Sequence, residues 1–268
     1  MPFTASHAAI ALPFLRTPLI PAALVVGSMA PDLPYFVPFD TYRHLTHTLL
    51  GVVTIDLGIG LVVLALWWSL LRAPAIDLAP TWLSERISRL SFGKSASNTK
   101  SRSKAAFAAL VVASLVIGSL THLVWDSFTH PGEVVDALPL LNVQYGPLVL
   151  HKWLQHTSSL VGLAAIVLWS ARWVRTTDRV KKARVATPRL RYAAWVFVAA
   201  TFTVAALITW AIGIAEPLHP FDPGLVFRVA RVSIGAMLAA ALLAVAGWYV
   251  LRAQSERRTA TTLPSTSA

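Results

Sequence analysis

Five stretches of this chain, residues 48–71, 105–125, 157–173, 192–215 and 225–251, stay apolar for about as long as a helix needs to cross a bilayer. About 20 apolar residues in helix span the hydrocarbon core. Lipid offers no partner to a backbone N–H or C=O, so each segment must satisfy its own. That requirement leaves a helical bundle. Composition agrees, with 56% hydrophobic and 13% charged residues, against roughly 25% charged in a soluble domain. The expected fold is all-α, a polytopic transmembrane helical bundle of about five spans. Residues 1–253 are expected to form one membrane domain, and 254–268, poor in apolar residues, a disordered tail.

Residues 8–30 are also apolar, but Pro13, Pro18 and Pro21 interrupt them and Arg16 sits midway. Proline removes a backbone donor and clashes with the preceding turn. Two short helices, interfacial or re-entrant and held against protein, are expected there. The N-terminus lacks the basic stretch of a secretory signal peptide.

Basic residues give the orientation. Seven lie in 72–104, eight in 172–191 and three in the tail, together 18 of the 23 Lys and Arg. With five spans these segments share one side, which the positive-inside rule makes cytoplasmic. The same distribution argues against a nucleic-acid surface as the reason for the net charge of +11. The basic loops serve topology or bind anionic lipid at 91–104. With no cysteine, disulfides, thiolate metal sites and cysteine nucleophiles are excluded.

All eight histidines (His7, His44, His47, His122, His130, His151, His156 and His219) fall in the opposite, outward segments or at the outer end of a span. His44 and His47 are three apart, and His122 and Asp126 four apart, so each pair shares a helix face. His130 extends the second stripe up to Pro131. Asp32, in Met29-Ala30-Pro31-Asp32, is a further candidate, with His151 and His156. Imidazole and carboxylate without thiolate form the ligand set of catalytic zinc, or of manganese or iron. Each feature has a plainer alternative. His7 or His219 alone is a solvated or capping residue, His44 with His47 an interfacial pair, and His122 with Asp126 a buried hydrogen-bonded pair. Asp56, inside the first span, bonds a neighbouring helix or pairs with Arg228 or Arg231.

The stretches Thr4-Ala5-Ser6-His7-Ala8-Ala9, 27–36 with its Ala30-Pro31-Asp32, His44-Leu45-Thr46-His47-Thr48, 121–130 and Leu154-Gln155-His156-Thr157 occur in order along the chain. In this the sequence resembles an uncharacterised bacterial membrane family, domain of unknown function 4184. That family is in turn distantly similar to bacterial inner-membrane proteins described as metal-dependent hydrolases. Its later His-x-x-x-Asp element, matched here by His122 and Asp126, also resembles the zinc-dependent phospholipase C and nuclease group. Two departures stand out. That group uses an N-terminal tryptophan as ligand where this chain has Met1, and its His-x-x-x-Glu element meets Gln155 four residues after His151. One or two metals, rather than three, are implied.

Together with the charge distribution, which puts the histidines on the extracytoplasmic side, the resemblance implies a membrane-bound metal-dependent hydrolase with a divalent metal (zinc) as cofactor. Composition makes the lipid bilayer a partner, and a site at the headgroup level makes a phospholipid or other lipid-like molecule the expected substrate. His7, Asp32, His44, His47, His122 and Asp126 are the candidate ligands. His130, His151 and His156 are candidates for ligand, supporting or proton-carrying roles. A transporter, which would need polar groups deep in several spans, and a non-catalytic scaffold held by its histidines are the rival expectations.

Overall fold

The computed structural model describes residues 4–36, 43–87, 103–181, 184–216, 219 and 222–262, with only the backbone described at 43 and 258–262. Five helices among them are long and apolar enough to cross a membrane: Leu49–Leu78, Lys104–Thr129, Leu150–Thr176, Pro188–Ala215 and a stretch from Pro223 to Arg257. All five expected spans are present, each longer than its apolar stretch. The third begins at Leu150 because 150–156, though polar, continue the helix. The chain forms two compact units, 1–66 with 91–177 and 67–90 with 178–268.

In the first unit, a 3-10 helix (Thr4–Ala11) precedes helix α1 (Pro21–Met29), and a second 3-10 helix (Ala30–Phe36) follows directly. Two short helices thus occupy the proline-broken segment. Pro21 stands in the first turn of α1, where its missing N–H costs nothing and its φ is preset. Nine residues reach only about 13 Å, under half the hydrocarbon thickness, so α1 cannot span alone. Helices α2 (Leu49–Leu78, of which 49–66 belong to this unit and 67–78 to the second), α3 (Lys104–Thr129) and α4 (Leu150–Thr176) follow.

Small residues bring α1 onto α3. Gly27 lies against the Leu115 backbone, and a Cβ at Gly118 would meet the Leu24 carbonyl and the Ser28 amide. Small-residue contacts of this kind let backbones approach where lipid removes the hydrophobic incentive for association. Two hydroxyls tie the pair: Ser114 Oγ accepts from the Ile20 amide at 2.9 Å, and Ser119 Oγ donates to the Gly27 carbonyl at 2.9 Å. The Thr4–Ala11 segment lies on α4 at Gly162, where a Cβ would stand 2.9 Å from the Ser6 carbonyl. α2 starts at Thr48, whose hydroxyl accepts from the Gly51 amide and donates to the Leu45 carbonyl, both at 2.9 Å. That cap fixes the turn carrying His47.

In the second unit, α5 (Pro188–Ala215) packs against α6 (Pro223–Thr262). Buried Asp77 accepts from the Val185 and Ala186 amides and from Trp248 Nε1 at 2.7 Å. Arg228 pairs with Glu216 at 3.0 Å. Residues 254–262, assigned to a tail by composition, continue α6; 263–268 lie outside the described residues. Across α4 to α6, side chains such as Leu160, Leu168 and Leu243 are exposed, the surface that lipid covers.

Candidate metal centre

The fold gathers five side chains from four segments at one end of the first unit. His7 comes from the first 3-10 helix, Asp32 from the second, and His47 from the turn before α2. His122 and Asp126 come from successive turns of α3. One ligand atom from each of Asp32, His47, His122 and Asp126 lies within 4.8 Å of the others. His47 Nε2 stands 3.5 Å from Asp32 Oδ1 and 4.0 Å from Asp126 Oδ2. His122 Nε2 is 3.7 Å from Asp32 Oδ1 and 3.5 Å from Asp126 Oδ2. His7 joins the rim, with Nε2 3.6 Å from Asp126 Oδ1 and its ring 4.1 Å from that of His122.

These separations decide between two arrangements. At 3.5 Å and beyond they are too long for good hydrogen bonds. Ligand atoms sharing one tetrahedral ion at bonds of about 2.0–2.1 Å stand roughly 3.3 Å apart. The cluster is close to the second spacing. His7 Nε2, Asp32 Oδ1, His122 Nε2 and Asp126 Oδ1 are all buried and have no hydrogen-bond partner among the described residues. Two buried carboxylates also call for a counter-charge, which a divalent cation matches. The donor set therefore fits a metal ion.

Neighbouring groups set the tautomers. His122 Nδ1 lies 2.8 Å from the Ser28 carbonyl; a carbonyl only accepts, so Nδ1 carries the proton and the Nε2 lone pair faces the carboxylates. The Thr46 hydroxyl donates to the Pro31 carbonyl at 2.9 Å. Its oxygen therefore accepts from His47 Nδ1 at 3.1 Å, which turns the His47 Nε2 lone pair inward too. Such partners are what orients a ligating imidazole. Thr4 Oγ1 donates to Asp32 Oδ2 at 2.8 Å, leaving Oδ1 for the centre.

His130 sits one step out. Lys152 donates to Gln155 Oε1 at 2.8 Å, which points the Gln155 amide nitrogen at His130 Nε2, 3.4 Å away. The proton is then on His130 Nδ1, which gives it to Thr129 Oγ1 at 3.1 Å and to the Asp126 backbone carbonyl at 3.3 Å, with Asp126 Oδ2 a little farther at 3.5 Å. His130 thus supports Asp126 rather than offering a lone pair to the cluster. Replacing Gln155 with Leu, which fits the space but breaks this chain, is expected to weaken zinc binding about 10–100-fold while the protein stays folded. A chelator-competition titration measures it, and unchanged affinity would show that the chain does not support the centre.

The other candidates lie apart from the cluster. His44 is exposed, as is His156. His151 is buried and donates from Nδ1 to the Leu141 carbonyl at 3.1 Å, tying the 131–149 loop to α4. Asp56 is fully buried, with neither carboxylate oxygen hydrogen-bonded among the described residues. Sequence inspection missed Thr4, Thr46 and Gln155 as supports. Thr46 lies inside the His44–His47 motif, and Gln155 stands both within the family-like stretch 154–157 and where the His-x-x-x-Glu pattern has glutamate. The Ser28 carbonyl leaves no side-chain signal at all.

Burial lowers the His7 pKa from 6.5 to about 4, aided by the neighbouring His122, and burial likewise lowers His130 to about 4. Burial tends to raise the Asp32 carboxyl, but His47, His122 and the Thr4 hydroxyl together outweigh it and hold Asp32 below its ordinary range. At pH 7 both imidazoles are therefore neutral and Asp32 is charged. The unfolded chain binds protons at His7 and His130 near pH 6.5 and the folded chain only near pH 4, so stability falls as pH drops through that window. Asp32 adds a loss at lower pH still. Metal-stripped protein in detergent is expected to melt progressively lower from pH 6.5 to 4 and to change little from 7 to 8. A melting temperature flat across the acid window would contradict these environments.

No curated protein and no solved structure matches this chain. A family model described as Domain of unknown function (DUF4184) matches residues 1–247, a range that takes in every member of the cluster, and the chain belongs to that family.

Proposed function

We propose that the protein is a membrane-bound metal-dependent hydrolase, with its site at the extracytoplasmic face and lipid phosphoesters as substrates. The observation that carries the proposal is the Asp32–His47–His122–Asp126 group, buried at one end of the spans with two imidazole lone pairs turned inward by Ser28 and Thr46. Zinc bound there would polarise a phosphoryl or acyl oxygen and bring the pKa of water down to roughly 7. Asp32, His47, His122 and Asp126 would hold it, and His7 would complete or flank the set. His130 steadies the turn of α3 that carries Asp126, through its backbone carbonyl, and Gln155 keeps it turned that way. The basic residues of 72–104 and 172–191, read by the positive-inside rule, support placement of the site at the outer face.

The test is hydrolysis by purified protein in phosphatidylglycerol and phosphatidylethanolamine vesicles, followed by phosphorus NMR of the released headgroup. Release that chelator stops, zinc restores and Asp126→Asn abolishes is the expected result. Protein carrying stoichiometric metal that releases nothing from any phosphoester or acyl ester offered would overturn the proposal. One observation favours a second function, an ion-coupled carrier: Asp56, buried within α2, offers a carboxylate deeper in the bundle. Metal-dependent uptake into vesicles that Asp56→Asn abolishes, without hydrolysis, would establish that alternative.

A further inference from the structure

Tryptophans on α4 mark where the bilayer ends. Trp153 stands near the start of the helix and Trp169 and Trp173 near its far end, the latter two rings stacked. At about 1.5 Å per residue, the two levels are about 24–30 Å apart. That approaches the thickness of the hydrocarbon core, whose edges tryptophan favours. At the near level the rings of Trp153 and Trp125 are exposed, while their N–H groups are satisfied within the protein. Trp153 Nε1 donates to the Tyr145 carbonyl at 2.8 Å and Trp125 Nε1 to Ser158 Oγ at 3.0 Å. A ring turned outward with its polar atom turned in belongs against lipid. Asp126 follows Trp125 directly, and Gln155 lies two residues beyond Trp153, so the centre sits at the level of the headgroups.

The loop 131–149 projects from the same end, between α3 and α4. It contains helical turns at Glu133–Ala137 and Pro139–Asn142 and a hairpin pairing Gln144–Tyr145 with Leu148–Val149. It is stapled rather than loose. Buried Val135 and Leu141 anchor it, Asn142 Nδ2 donates to the Val135 carbonyl at 3.0 Å, and His151 holds Leu141. On this frame Leu138, Leu140, Val143 and Tyr145 are 44%, 61%, 41% and 49% exposed. An apolar group held out rigidly in water would be unfavourable. Here the exposed ring of Trp153 on the adjoining span is tied directly to Tyr145, and the loop carries no Lys or Arg, its charges being Glu133 and Asp136.

We infer that the 131–149 loop is seated in the headgroup–acyl boundary and that the centre beside it takes an amphiphile sideways from that leaflet, its polar linkage stopping at the level of Asp126. The seat of the loop stands independently; the choice of an amphiphile rests on the hydrolase proposal.

The chain contains no cysteine, so the full-length protein can carry single nitroxide labels at Leu140→Cys, Val143→Cys, Glu133→Cys and, as a mid-span reference, Val167→Cys. In phosphatidylcholine vesicles, collision with oxygen reports lipid and collision with a nickel chelate reports water. The oxygen-to-nickel ratio at 140 and 143 is expected to be several-fold above that at 133 and to approach that at 167. Ratios equal to that at 133 would put the loop in water. Weak collision with both reagents would put it under another protein copy. Either result overturns the inference. Leu140 and Val143 are separate exposed positions, so one variant that fails to fold leaves the other to decide. With deep labels, turnover of a vesicle phosphoester well above that of a water-soluble short-chain analogue supports lateral entry. Equal turnover overturns lateral entry while leaving the hydrolase standing. Turnover of neither by metal-loaded protein overturns the amphiphile and the hydrolase together, with the loop still seated.

Discussion

His122→Ala is expected to strip the metal: zinc retained after purification falls from about one ion per chain to a small fraction, with affinity reduced by more than about 100-fold. The effect is large because His122 has two roles. Its Nε2 faces both carboxylates at 3.5–3.7 Å, and its Nδ1 proton occupies the buried carbonyl of Ser28. Truncation therefore removes a ligand, opens a cavity and leaves an acceptor without a donor. Cavity and orphaned carbonyl together cost roughly 3–5 kcal/mol, so the thermal midpoint in detergent falls as well. Asp32→Ala should lose the metal equally. His156→Ala, at an exposed position outside the cluster, should retain it. Equal losses at His122 and His156, by elemental analysis of matched preparations, would refute the assigned geometry.

The second large effect is expected far from any ligand atom. Gly118→Val should displace α1 from α3 and empty the centre without touching its side chains. A Cβ at Gly118 would stand 2.5 Å from the Leu24 carbonyl oxygen and 2.7 Å from the Ser28 amide nitrogen. Both are backbone atoms, so no side chain can swing aside. Overpacking commonly costs 1–3 kcal/mol; a backbone-to-backbone clash belongs at or above the top of that range, about 3 kcal/mol or more. Ser28, the residue pushed, also orients His122, so metal retention should fall with stability. Gly58→Ala is the control. Nothing lies within 4 Å of its Cβ position, and alanine is the better helix former by about 1 kcal/mol. If Gly118→Val keeps wild-type melting and metal content, the close approach of α1 to α3 does not build the site.

The spans were legible in the sequence because lipid enforces a local rule: each apolar segment must form its own backbone hydrogen bonds, whatever the rest of the chain does. Pro13, Pro18 and Pro21 were informative for the same reason, since a missing donor acts where it stands. The pairing of His122 with Asp126 was visible because helical spacing is fixed. Convergence of His7, Asp32 and His47 on that pair was not. It depends on Gly27 and Gly118 bringing α1 onto α3, on Gly162 receiving Ser6, and on the Thr48 cap turning His47 toward the bundle. These are contacts between distant segments whose glycines read as ordinary membrane-helix residues. His44 looked as good a candidate as His47 because both occupy one motif; only Thr46, locked to the Pro31 carbonyl, distinguishes them. Residues 254–262 were assigned to a tail from composition, yet the α6 helix runs through them, since polar residues propagate a helix already begun.

The most direct test is zinc X-ray absorption, together with elemental analysis, on the wild-type chain purified without chelator and without added metal. At least one zinc per chain is expected, in a shell of nitrogen and oxygen at about 2.0–2.1 Å with histidine scattering and no sulfur. Protein that is folded in the membrane yet holds no stoichiometric metal, and takes up none when zinc is supplied, would contradict the account.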